Sequence, residues 1–293
     1  MGTLFIVATP IGNLEDITLR ALRVLREVRL IAAEDTRHTR KLLNHYEIQT
    51  HCISYHEFNK LARLDDILDA LAQGDVALVS DAGTPALSDP GFELVNACVA
   101  AGFTVSPVPG PSAPVAAIVA SGLPTERFLY LGFLPRRAPE RKALLADLAD
   151  LTVSLVCFEA PHRLTDSLSD ALSVLGDRRV VLAKDLTKLY ENLLRMRISE
   201  ALAHFSAQQP RGEYTLVIEG RVPSRPSKRD RLRVWADQIA EVEEGPSEAE
   251  VARRLRELRA QGKNGSAAAK AVARDLGLQK GLVYQVWLSL AEE

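Results

Sequence analysis

Several chemistries are missing from the 293 residues before any fold is considered. No Gly-x-x-x-x-Gly-Lys-Ser/Thr run occurs, so the backbone cradle and lysine that grip a nucleoside triphosphate are lacking. No Gly-x-Gly-x-x-Gly follows the first apolar run, where Gly12 stands alone, which argues against a dinucleotide on a Rossmann fingerprint. Cysteine is scarce: Cys52, Cys98 and Cys157 are odd in number, far apart and without the paired spacing of a zinc site. Neither a disulfide framework nor a structural metal is expected, and a reducing cytoplasm is. No stretch reaches eighteen uninterrupted apolar residues, and MGTLFIVATP has no basic flank, so neither a membrane span nor a secretory leader is expected.

What is present is an ordinary globular composition, 47% hydrophobic, enough for a sizeable core and, at this length, for two domains with an appendage. The net charge of −2 hides an asymmetry, since residues 221–293 carry 14 basic against 11 acidic side chains. Apolar runs alternate with helical spacing. The runs at Leu4 to Ala8, Leu30 to Asp35, Val76 to Ser80 and Phe103 to Pro109 read as strands, with helices between them that stop at Gly74 and Gly102. That rhythm implies a mostly parallel sheet covered on both faces. It restarts after a Pro/Gly-rich join at residues 110–124. There the long runs RRVVLAKDL and EYTLVIEG suit antiparallel pairing, so the second sheet is expected to be mixed. The α/β domains are assigned to 1–112 and 113–222. A polar linker with two prolines, 221–231, leads to a helical domain at 230–293. Ser247 and Glu250 form a capping box there, and helices are expected from Ser266 to Gly277 and from Lys280 or Gly281 to Leu290. Ala273, Gly277, Val283 and Val286 fall where a helix-turn-helix needs a small residue, a turn glycine and packing residues.

Glycine and proline cluster at the ends of the proposed strands, in TPIGN, SDAGTP, PGPSA and EAPHR. Ligands of open α/β sheets bind outside those ends. The run VALVSDAGTPALSDPG leaves its apolar strand through Asp81, Gly83 and Pro85 with no lysine nearby.

TPIGNLEDITLRAL, IAAEDTRHTRKLL, SDAGTPALSDPG, PGPSA, GFLPRR, FEAPHRL, DLTKLYE and RGEYTLVIEG, in this order, resemble the ribosomal RNA small subunit methyltransferase I family across about residues 3–220. The resemblance implies the two-domain tetrapyrrole-methylase fold and S-adenosyl-L-methionine as cofactor. It also implies 2′-O-methylation of a cytidine in the decoding region of 16S rRNA, within the 30S subunit, by a homodimer. TPIGN is leaner in glycine than the first loop of many tetrapyrrole methylases, which favours the RNA branch over a porphyrin-type substrate. The positions it assigns to the cofactor are Pro10, Gly12, Asp81, Gly83, Thr84, Pro85, Ser112, Ala113, Phe158, Glu159, Ala160, Gly212 and Glu213. A cofactor without phosphate needs no lysine at residues 80–85. Methyl transfer to a hydroxyl gains from a base, for which Asp35, Glu159 and Lys188 are the candidates. Arg37, Arg40, Arg136, Arg137 and Arg163 on the body, and Arg253, Arg254, Lys270 and Lys280 in the tail, are candidates for RNA phosphates. Three other readings stay open: methylation of a tetrapyrrole or a protein side chain on the same fold, a ligand-sensing helix-turn-helix regulator, and a tail that only supports a dimer.

Overall fold

A computed structural model describes residues 2–222, 248–278 and 280–290. Its first sheet is built from β1 (Thr3–Val7), β2 (Leu30–Ala33), β3 (Cys52–Ser54), β4 (Val76–Val79) and β5 (Thr104–Val108). The helices between them are α1 (Leu19–Glu27), α2 (Thr36–His45), α3 (Leu64–Gln73) and α4 (Phe92–Ala100). Strand order is β3-β2-β4-β1-β5 and every pairing is parallel. All four residues of β2 and of β4 are buried, as strands covered on both faces must be. One apolar core packs Leu25, Leu43 and Val7 on one face; another packs Leu71, Leu94 and Tyr55 on the other. Because the strands are parallel, the loops following them emerge at one edge, and that edge is where chemistry collects.

The second sheet has β6 (Phe128–Phe133), β7 (Ser154–Glu159), β8 (Arg179–Lys184), β9 (Asn192–Arg197) and β10 (Tyr214–Ile218). Its helices are α5 (Ala113–Ser121), α6 (Ala138–Asp147), α7 (Leu164–Leu175) and α8 (Ile198–Ala207). The order is β6-β7-β10-β8-β9, with β6 parallel to β7 and β10 antiparallel to both β7 and β8. The expected mixed sheet is therefore found, with Val217 opposite Val181. Helix α5 follows the first sheet in sequence but packs on the second, Ala117 and Ile118 meeting Val156, Val181 and Val217. Both sheets lie in one compact unit, Met1–Val222, and Pro223–Glu293 forms another.

Two arginines fix the GFLPRR loop. Arg141, 3% exposed, pairs with Asp170 and donates to the carbonyls of Pro135 at 3.1 Å and Arg136 at 3.3 Å. Arg163 donates to the Leu134 carbonyl at 2.7 Å.

In the second unit α9 (Glu248–Ala260), α10 (Gly265–Asp275) and α11 (Lys280–Leu290) enclose Val251, Leu255, Val272, Ala273, Val283 and Val286. Helix α10 starts one residue before the expected Ser266 because Asn264 caps it, Oδ1 accepting the Ala267 amide at 2.9 Å. Gly277 takes the left-handed φ of 67° that the turn requires. Ser247 of the expected capping box, and the linker beyond Val222 with its prolines, lie outside the described residues. Among the described residues no helix is long and apolar enough to cross a membrane.

Candidate active site

The loops at the edge of the first sheet are locked to one another by short polar links. The Thr9 and Gly83 backbones exchange hydrogen bonds at 2.8 and 3.0 Å, joining the loops after β1 and β4, with Gly83 at φ 79°. Thr84 Oγ1 donates to the Pro111 carbonyl at 3.2 Å and so adds the loop after β5. A second set of contacts ties these loops to the second sheet. Gly12 abuts the 186–188 loop so closely that a Cβ would lie 2.5 Å from Lys188 Cγ and 2.9 Å from the Leu186 carbonyl oxygen. Ser88 Oγ and Tyr130 Oη are 2.7 Å apart, and Gly132, in the bulge of β6, leaves room for Ser88. Ala86 and Ser88 carry φ of 67° and 70°, a conformation held by this bridging.

Between the two sheets these loops enclose a cavity of about 460 Å³. Residues Asp81 to Thr84 and Ser112 to Pro114 form one wall; Phe133, Phe158 to Pro161 and Glu213 to Thr215 form the other. Ser112 stands at the N-cap of α5 without making a capping bond, so its hydroxyl is available to the cavity. Phe133 and Phe158 present an aromatic wall, ring centroids 5.3 Å apart, backed by Tyr130 at 5.6 Å from Phe158.

Charge in the cavity has one sign. Glu34, Asp81, Asp89, Glu159 and Glu213 line it, and no lysine, arginine or histidine does so among the described residues. Glu159 is neutralised by Arg163 at 2.6 Å and Glu213 by Lys188 at 2.8 Å. No ion pair joins the other three among the described residues. Asp81 Oδ1 accepts the Asp35 amide at 3.0 Å, while Glu34 Oε2 accepts the Asp81 amide at 3.2 Å. Burial raises the Glu34 carboxyl. Burial, and then the charges of Glu34 and Asp81, push Asp89 up to about 6 against the bond it accepts from Ser80. Such a site favours a cationic ligand and disfavours a phosphate.

Of the positions expected to hold the cofactor, Asp81, Gly83, Thr84, Ser112, Ala113, Phe158, Glu159, Ala160 and Glu213 line the cavity. Pro10, Gly12, Pro85 and Gly212 do not. Gly12 serves the close approach of two loops, Pro85 is buried behind its own loop, and Gly212, at φ 91°, passes beside the Asp185 carboxylate. Wall residues outside that set include Glu34, Leu87, Asp89, Phe133, Tyr214 and Thr215. Asp89 sits in SDAGTPALSDPG, where its being the second acid of the loop was the available signal.

The three expected bases are each committed to another group. Asp35 caps α2, accepting the Arg37 amide at 2.8 Å, and its side-chain bonds from Arg37 hold the carboxyl well below the usual range. Glu159, 2% exposed, accepts the Ala160 amide at 2.8 Å, Arg163 Nε at 2.7 Å and the Ser167 hydroxyl. Lys188 Nζ lies 2.8 Å from Glu213 and 3.7 Å from Asp185. Among the described residues, no ion pair joins the cavity carboxyls Glu34, Asp81 and Asp89.

Among the expected phosphate contacts, Arg163 donates to Glu159 at 2.7 Å and to the Leu134 carbonyl at 2.7 Å. Arg37, Arg40, Arg136 and Arg137 are exposed, Arg37 pairing with Asp35 and Arg137 lying 3.5 Å from Glu140. In the tail Arg253 and Arg254 pair with Glu250 at 2.8 Å, Lys280 Nζ meets Ser266 Oγ at 3.1 Å, and Lys270 is exposed.

Comparison with known proteins follows the same lines. Residues 3–202 match the tetrapyrrole (corrin/porphyrin) methylases. The chain is similar to the ribosomal RNA small subunit methyltransferase I of Halalkalibacterium halodurans, 43% identical over 98% of this chain and 94% of that protein. The protein of that name from Thermotoga maritima is 49% identical over 222 residues, which are 100% of it and 75% of this chain. Uroporphyrin-III C-methyltransferase from Thermus thermophilus, solved in complex with S-adenyl homocysteine, shares the fold at a TM-score of 0.52 and 20% identity, over 74% of this chain and 97% of that one.

Proposed function

The chain belongs to the tetrapyrrole methylase family and, within it, to the ribosomal RNA small subunit methyltransferase I family; from that premise we propose that it methylates the ribose 2′-oxygen of a cytidine in the decoding region of 16S rRNA. The proposal includes S-adenosyl-L-methionine as methyl donor, the 30S subunit as the form in which the RNA is met, and a homodimer as the working species. The observation that carries the reading is the cavity, whose carboxyls, aromatic wall and want of a lining cation among the described residues suit an adenosyl sulfonium and not a phosphate.

S-adenosyl-L-methionine supplies, when bound, a methyl group made electrophilic by its sulfonium. Strand-end backbone at residues 81–84 and 112–113 would hold the ligand, and the pinned loops would keep it oriented for in-line displacement. Phe133 and Phe158 offer aromatic faces to a planar base. Glu34 and Asp81 favour positive charge at their end of the cavity. Asp89 would accept the proton leaving the 2′-oxygen as the methyl passes to that oxygen and its bond to sulfur breaks, and would later pass the proton to water. A carboxyl titrating near 6 is ionised at neutral pH yet basic enough for that task.

The test is incubation of the protein with labelled S-adenosyl-L-methionine and undermodified 30S subunits. Label in 16S rRNA is expected. Label in a tetrapyrrole or a protein instead would move the activity to another branch of the fold, and no transfer at all would favour the regulator.

A further inference from the structure

Residues 86–89 enter the cavity wall under backbone strain. Ala86 and Ser88 hold φ of 67° and 70°, in the left-handed region that their Cβ atoms disfavour. Leu87 and Asp89, the residues beside Ser88, line the cavity. The start of the turn is fixed within its own loop. The Leu87 amide donates to the Thr84 carbonyl at 3.3 Å, and Gly91 packs so closely that a Cβ on it would lie 2.9 Å from the Ala86 Cβ.

Ser88 is held from the other sheet. Its hydroxyl lies 2.7 Å from the Tyr130 hydroxyl in β6. The bulge of β6 shapes the seat, because a Cβ on Gly132 would stand 2.9 Å from Ser88 Oγ. The Tyr130 ring is itself set edge-on to Phe158, and burial raises its phenol, which stays a hydroxyl able to donate or accept. Tyr130 backs the cavity wall and does not line it. Two left-handed residues other than glycine cost at least as much as one neutral hydrogen bond returns, so the turn depends on this bridge. Asp89 follows directly. Glu34 and Asp81 bring their charges to it, Ser80 donates to it, and its own charge is felt at Tyr130.

We propose that Tyr130 is a positioning residue for methyl transfer: through Ser88 it holds the turn at 86–89, and with it the Asp89 carboxylate, in the cavity wall. This rests on the reading of Asp89 as proton acceptor. The second sheet thereby completes a cluster of carboxyls that the first sheet supplies, and a side chain outside the wall governs the chemical step.

The experiment compares full-length wild type, Tyr130→Phe, Ser88→Ala, the double variant and Asp89→Asn. Methylation of undermodified 30S subunits is followed in single turnover at saturating S-adenosyl-L-methionine from about pH 5 to 8, with cofactor calorimetry and urea unfolding alongside. Phenylalanine keeps the ring against Phe158 and removes only the hydroxyl. Tyr130→Phe is expected to slow the chemical step roughly 3- to 10-fold, the effect of losing one neutral hydrogen bond, with cofactor affinity near the wild-type value. Its acid limb is expected to move to lower pH, because a released Asp89 meets water and loses the burial that raises its carboxyl. Ser88→Ala is expected to do the same, and the double variant to lose no more than either single one. A wild-type rate and an unmoved acid limb in Tyr130→Phe, with Asp89→Asn slow, would overturn this inference alone. Lost stability with that same rate and limb would do so too, making the bridge purely structural. Losses that add in the double variant would overturn the coupling of Tyr130 to Ser88. Asp89→Asn as fast as wild type would overturn the proton-acceptor reading and this inference with it, as would a wild type that leaves the subunit unmethylated.

Discussion

Asp89→Asn is a test in which stability and activity are expected to move in opposite directions. In the folded protein the Asp89 carboxyl takes up its proton at about 6 instead of 3.8, burial being the main cause. The folded state therefore holds that proton more tightly than the unfolded chain does. The stability associated with the protonated carboxyl is fully present below about pH 4 and is lost as pH rises through about 6. The full displacement corresponds to about 3 kcal/mol, and partial contact with solvent reduces it to ~1–2 kcal/mol. Asparagine keeps the shape and never ionises. Urea unfolding should thus show the variant more stable by ~1–2 kcal/mol at about pH 7.5 and equal to wild type near pH 4. In single turnover at saturating cofactor the variant should be slower by roughly 10²–10⁴-fold, and should lack the acid limb near pH 6 that is expected of the wild type. Wild-type rates in Asp89→Asn would refute its role as proton acceptor. Loss of rate together with loss of stability at neutral pH would refute the electrostatic reasoning, because it would make Asp89 a structural acid.

Glu159→Ala is expected to act on the fold, since it strands Arg163, removes a partner of Ser167 and loosens the Leu134 anchor. A destabilisation of about 3–5 kcal/mol in denaturant unfolding is predicted; unchanged stability with a slowed chemical step would make Glu159 a candidate base again. Removing residues 223–293 should leave Met1–Val222 folded and its cofactor affinity unchanged in calorimetry, because that unit encloses its own cores and the whole cavity. The same deletion should weaken RNA binding and flatten its salt dependence by roughly 0.7 to 0.9 for each phosphate that the tail neutralises. An unaltered salt slope would make the tail a structural extension.

Element type is legible wherever apolar periodicity is strong, and fails where it is not. β2 and β4 read as strands because every residue in them is apolar and buried. β3 is three residues long and β9 mixes Asn192, Arg195 and Arg197 with its apolar positions, so neither announces itself in sequence. Helix α2 escapes a sequence reading for a related reason. Only Thr39, Leu42 and Leu43 of its ten residues are buried, so its apolar stripe is narrow. The antiparallel pairing of β8 and β10 is legible from their length and β-branched content.

The cavity loops are legible because glycine and proline mark strand ends, but residue roles within them are not. Gly12 and Gly83 look alike in sequence. One makes space for Lys188, and the other takes a left-handed φ at the cavity wall. The acids divide in the same way. Whether a carboxylate is free depends on what lies opposite, and Arg163 at 2.6 Å from Glu159 or Arg37 at 2.7 Å from Asp35 follows only from the folded backbone. Asp89 stands out for the converse reason, since its neighbours are other carboxyls from the loops after β2 and β4, brought together by sheet order. The tail shows a further limit. Its many cations suggest a phosphate surface, yet Arg253 and Arg254 pair with Glu250 one turn away.

The central claim is that the two-sheet unit places a methyl group on a ribose oxygen of small-subunit RNA. Nucleotide-resolution mapping of 2′-O-methyl marks on 16S rRNA from undermodified 30S subunits, before and after incubation with the protein and S-adenosyl-L-methionine, tests it most directly. The account predicts one new mark, on a cytidine of the decoding region, absent when Asp89→Asn replaces the wild type under the same conditions. Methyl transfer to a base, to ribosomal protein or to no component of the subunit would contradict it.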